Sequence, residues 1–138
     1  MNTMRVVLAA LGAFVAYFVA GGVMFVAMPW MKKEFAKYPA VYRPSEGQMK
    51  GMPVAMAATL VSIAVLAVLY AMIYHVGSGV AEGARFGALI GVFAIGTFTL
   101  HNYVNLNIGW KLTVQQSVAY FVQWVVVGVV IGWIYRAG

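Results

Sequence analysis

Four apolar runs, each about as long as a bilayer-crossing helix, limit what this chain can fold into. They cover residues 6–28, 53–75, 86–106 and 114–135; a helix needs ~20 residues to cross a ~30 Å hydrocarbon core. Without water to satisfy backbone N–H and C=O groups, only helices and closed β-barrels span a bilayer. A barrel strand alternates in polarity, and LVSIAVLAVLYAMIY in the second run does not. The expected fold is all-α: a polytopic membrane protein, a four-transmembrane-helix bundle forming a single domain over residues 1–138. Charge usage agrees. Only 9% of residues are charged, against about 25% in a soluble domain that must face water on all sides.

The first run resembles a secretory leader, with Arg5 ahead of it and small residues at Ala20, Gly21 and Gly22. It stays apolar through Met28, longer than a leader core, so a retained helix is expected. The net charge of +6 does not imply nucleic acid, because the basic residues flank spans rather than forming a stripe. Lys32, Lys33, Lys37, Arg43 and Lys50 lie in the 29–52 loop and Lys111 between spans three and four, whereas Arg5, Arg85 and Arg136 lie at the other end. Cytoplasmic segments collect lysine and arginine. The expectation is a cytoplasmic 29–52 loop, both termini outside the cytoplasm, and residence in a bacterial inner (plasma) membrane. The lipid bilayer is the first partner, since basic residues at its surface meet anionic headgroups favourably.

Ala9, Ala13, Ala16 and Ala20 line one face of span one and invite a close neighbour. The loop MPWMKKEFAKYPAVYRPSEGQMKGMP interleaves aromatics with lysines, so its first part suits a short amphipathic helix on the membrane surface. Pro39 and Pro44 interrupt it, Ser45-Glu46-Gly47 reads as a turn, and Pro53 suits the first turn of span two.

Span three departs from plain hydrocarbon. Gly83, Gly87 and Gly91 recur every four residues, a small-residue stripe that permits backbone-to-backbone packing. At 100° per residue the same stripe continues through Ala94, Phe98, His101 or Asn102, and Asn105. Span four carries Gln116, Tyr120 and Gln123 on one stripe, then Gly128 and Gly132. Counting outward from the Gly109–Trp110 turn sets Asn105 against Gln115 or Gln116, His101 against Tyr120, and Phe98 against Gln123. Two readings follow for the cluster His101, Asn102, Asn105, Gln116, Tyr120 and Gln123. The plainer is interhelical hydrogen bonding, which is worth about 0.6 kcal/mol per pair. The sharper is a polar pocket between spans three and four for a small solute, ion or headgroup.

No cofactor is expected. The chain has no cysteine, which removes thiolate metal sites and covalent haem. His75 and His101 fall about 20 Å apart along the membrane normal, too far to ligate one haem or one metal within a protomer. A proton-coupled exporter would want a carboxylate inside the membrane, whereas Glu34, Glu46 and Glu82 fall between the runs. No nucleophile, base and orienting group can be named together, so an enzyme is not expected. The leading expectation is a non-enzymatic packing or accessory subunit that self-associates as a homo-oligomer or joins a larger membrane complex. In that reading the glycine stripe carries association, with Gly128 and Gly132 as a further contact face. The alternative is a channel or transporter using the polar pocket.

One resemblance covers most of the chain. A small-residue first helix ends near Pro29-Trp30-Met31-Lys32, and a charged loop precedes span two. Span three opens with Gly83 to Gly91 and closes with Asn102 and Asn105; span four ends on Gly128, Gly132 and Trp133. This layout resembles a family of small four-helix bacterial membrane proteins catalogued as a domain of unknown function. The resemblance implies the four-helix fold and carries no activity with it.

Overall fold

The structure is a computed structural model that describes residues 1–136. Helix α1 runs Thr3–Ala27, α2 Pro29–Ala36, α3 Ser45–Ile73 and α4 Val80–Ala94. A wide π turn, Ile95–Thr99, joins α4 directly to α5, Leu100–Asn105, and α6 runs Trp110–Tyr135. Four of the resulting rods are long and apolar enough to cross a membrane: Thr3–Ala27, Ser45–Ile73, Val80–Asn105 and Trp110–Tyr135. The described residues contain no strand.

Each rod begins before its apolar run and ends at the run's end or within two residues of it, because the run marks hydrocarbon thickness while the helix starts in the headgroup layer. The largest difference is in span two, which starts at Ser45 rather than residue 53. Ser45-Glu46-Gly47 is therefore the first turn of α3 and not a loop turn, and Pro53 lies inside the helix. Pro44 ends the preceding segment in extended backbone, and Glu46 meets Lys50 one turn on at 3.1 Å. Pro53 removes one N–H from the ladder at a point where the residues on either side are exposed. The first part of the loop forms the short helix α2, opened by Pro29 in its first turn.

α6 is the centre of the bundle. α4 packs along one side of it and α1 along another, while α3 lies chiefly against α1. The main core joins Ala9, Ala10 and Ala13 of α1, Ile63, Ala67 and Tyr70 of α3, and Val127, Ile131 and Tyr135 of α6. Alanines at the α1 contact bring the backbones close, and Tyr70 and Tyr135 fill the end of the bundle, edge to face at 6.2 Å. Both described ends of the chain meet there. The Asn2 amide donates to the Tyr135 hydroxyl at 3.2 Å, and the Arg5 guanidinium donates to the Arg136 carbonyl. A second core at the opposite end packs Met31, Ile108, Leu112 and Ala119 beneath Phe35, Tyr38 and Tyr42. There the Gly109 amide donates to the Tyr38 hydroxyl at 2.8 Å, tying the 37–44 segment to the start of α6.

Candidate functional site

The glycine stripes are consumed within one chain. Gly83, Gly87 and Gly91 are buried on α4; Gly83 and Gly87 face Gly128 and Gly132 on α6, and Gly91 faces Phe121. A Cβ added to Gly83 would come 3.0 Å from the Gly132 Cα, and one on Gly128 would come 2.6 Å from the Gly87 Cα. No side chain fits between these backbones, so neither stripe remains as a surface for another subunit. The expected role of Gly83, Gly87 and Gly91 in self-association, and of Gly128 and Gly132 as an additional contact face, is corrected on this point.

The polar stripes of spans three and four do not meet as the α-helical count predicts. The reason is the π turn, in which the Leu100 amide bonds the Ile95 carbonyl, five residues back. One residue is inserted relative to an α-helix, so the following residues rotate by about 100°. Of the expected stripe Phe98, His101 or Asn102, and Asn105, Asn102 alone stays inward, and Thr99 takes the place of Phe98. Thr99 is 0% exposed and Asn102 half-buried, whereas Phe98, His101 and Asn105 are exposed. The His101 Nδ1 lies 3.0 Å from the Gly96 carbonyl of its own helix, which can only accept, so this nitrogen carries the hydrogen. The expected pairing of His101 with Tyr120 is replaced by an edge-to-face contact of Phe98 with Tyr120 at 5.7 Å. His101→Ala is therefore expected to shift stability by no more than about 0.5 kcal/mol, read as thermal unfolding in detergent.

The polar residues of α6 look elsewhere. The Gln123 side-chain amide donates to the Tyr17 carbonyl of α1 at 3.3 Å, and the Gln116 amide donates to the Tyr42 hydroxyl at 3.4 Å. Tyr17 also packs on Trp124 at 5.3 Å. These contacts run to α1 and the 37–44 segment, not to α4. They leave four buried polar atoms unpartnered among the described residues: Thr99 Oγ1, Gln115 Oε1, Gln116 Oε1 and Trp124 Nε1.

Glu34 on α2 carries a site that reading the loop as a linker passes over. It is 4% exposed, bonded to Lys37 at 2.7 Å and to Lys111 at 3.1 Å. Hydrogen bonds from Lys37 and then Lys111 hold its carboxyl below the usual carboxylate range, against the opposing effect of burial. The Glu34 bond in turn raises the Lys37 ammonium above its ordinary value. The Glu34-to-Lys37 spacing in the sequence is the one signal that points there. Among the described residues no three His, Cys, Asp or Glu side chains gather where they could hold a metal ion.

Beside α4 an apolar cleft opens towards the membrane. It has a volume of about 610 Å³, with α3 and α4 as walls and Tyr120 and Trp124 as its floor. Two hydroxyls in its walls are already engaged: Ser62 donates to the Ala58 carbonyl at 2.9 Å and Thr97 to the Phe93 carbonyl at 2.7 Å.

No curated protein and no solved structure matches this chain. Residues 8–132, most of its length, match the family described as "Protein of unknown function (DUF1761)". With four membrane-spanning helices and that match, the chain belongs to the DUF1761 family as an integral membrane protein.

Proposed function

We propose that this protein is a non-enzymatic membrane subunit that associates, through the cleft between α3 and α4, with a further transmembrane helix in a second copy or a larger membrane complex. The cleft carries this reading. Its walls include Val61, Val65 and Leu69 of α3 and Ile90 and Phe93 of α4, and its wall hydroxyls are bonded to their own helices. In a bilayer, apolar surface gains little by leaving lipid, so association there depends on shape. A recess about two helical turns long supplies shape that a smooth bundle lacks.

The cysteine-free chain makes the test clean. Val65→Cys or Phe93→Cys in native membranes is expected to give cross-linked adducts several-fold above Val15→Cys, which projects from α1. Equal yields at all three positions would overturn the reading. Six basic residues at the loop end against three at the terminal end support a cytoplasmic 37–44 segment in a plasma membrane.

A second reading, binding of a small solute, draws on the buried Gln115 and Gln116 oxygens and the Thr99 hydroxyl. Buried polar atoms without protein partners are satisfied by water or ligand.

A further inference from the structure

We propose that the pocket between α2, the 37–44 segment and the start of α3 binds a phosphate group, and that this phosphate belongs to an anionic phospholipid headgroup. The cavity has a volume of about 620 Å³. It is independent of the cleft beside α4, with which it shares no lining residue.

Charge is the first observation. Lys32 and Arg43 both line this cavity. The chain has three acidic residues, and all three are engaged elsewhere: Glu34 with Lys37 and Lys111, Glu46 with Lys50, and Glu82 with Arg85. Two cations thus face one recess with no carboxylate of the protein to neutralise them. A recess of that kind lowers its energy by taking up an anion, and the planar guanidinium suits two phosphate oxygens at once.

The walls are the second observation. Phe35, Tyr38 and Tyr42 border the same cavity, and Phe35 packs edge to face on Tyr42 at 4.8 Å. The Lys32 ammonium sits 5.8 Å from the centre of the Phe25 ring at the end of α1, and Phe25 lines the same cavity. Aromatic walls around paired cations suit an anion attached to an apolar body better than a bare, strongly hydrated ion. Position completes the argument. The recess lies where α1 ends and α3 begins, at headgroup depth for a bundle of these spans, so an acyl chain below its phosphate can run along the helices. α3 starts at Ser45 without a side-chain cap, so its first amides add partial positive charge on the same side.

General attraction to an anionic surface would depend on how many basic residues there are, not on which. Lys33 supplies the control: it is exposed on α2 and does not line the cavity. Delipidated full-length protein in non-ionic detergent is titrated with phosphatidylglycerol, phosphatidylcholine or inorganic phosphate, and bound lipid is counted by native mass spectrometry. One phosphatidylglycerol per chain is expected to survive gentle activation. Arg43→Gln should weaken its retention about tenfold, the Lys32→Gln/Arg43→Gln pair should abolish it, and Lys33→Gln should change it less than twofold. Circular dichroism reports whether each variant stays folded. Equal loss in Lys33→Gln, or equal retention of phosphatidylcholine, would overturn the proposal. Displacement of the lipid by millimolar inorganic phosphate would uphold phosphate recognition and assign the site to a soluble phosphate instead.

Discussion

Gly87→Leu is expected to unfold the bundle of a single chain, not merely to separate subunits. The Cβ of any residue at this position would meet the Val125 Cα at 2.9 Å and the Gly128 Cα at 3.1 Å, and the Trp124 carbonyl more closely still. These are backbone atoms, so no rotamer change makes room, and α4 must move off α6 as a rod. Overpacking of a tight core typically costs 1–3 kcal/mol even where side chains can shift; here the loss is expected to reach about 3 kcal/mol or more, a severe class for one substitution. Gly22→Leu is the matched control, since nothing lies within 4 Å of a Cβ there and leucine favours a helix more than glycine does. Thermal unfolding in detergent, followed by tryptophan fluorescence and size exclusion, separates the outcomes. A Gly87→Leu protein that kept its unfolding temperature but lost only its oligomeric mass would show that the stripe joins copies.

Glu34→Gln is expected to release α2 and the 37–44 segment from the amino end of α6. The carboxylate is the one negative charge between Lys37 and Lys111, and with a neutral amide in its place two ammonium groups share the site without a counterion. Trypsin should then cut after Lys37 at least several-fold faster, while the helices of the main core stay protected. The pH dependence has a definite sign. A carboxyl held below its ordinary value of 4.5 stabilises the folded state fully above that pH, and the contribution fades as pH falls through the lowered value. Lys37, raised above its ordinary 10.5, stabilises fully below that pH, and its share fades as pH rises through the raised value. Protection of the Lys37 bond should therefore stay level from about pH 4.5 to 10.5 and fall on both sides. In Glu34→Gln the acid edge should vanish. An acid edge that survived in the variant would place the responsible group elsewhere.

How much of this was legible depends on range. The spans were, because hydrocarbon thickness acts on every residue of a run; the close-packing character of Gly83, Gly87 and Gly91 was too, because only glycine lets backbones touch. Which backbone they touch was not, since a glycine repeat reads the same for a partner in the same chain or another. The start of α3 was hidden because Ser45-Glu46-Gly47 suits a turn or a first helical turn equally, and the Glu46–Lys50 pair and the end set by Pro44 favour the helix. The π turn left no mark in GTFT. It shifts every later residue by one position, so the placement of His101 failed although the polar character of the region was read correctly. Glu34 was obscured by a basic loop whose contacts with Lys111 span most of the chain.

The central position of α6 has a consequence for how such a protein is made. Ribosomes deliver the helices in chain order, and α6 is the last of the four spanning rods to emerge. α1 and α3 can pair on each other as they arrive. α4 has no comparable neighbour until α6 follows, so its glycine face waits against lipid during synthesis. The α4 seam can therefore close only once α6 is in place, since α6 carries the contacts that join α4 to the rest of the bundle.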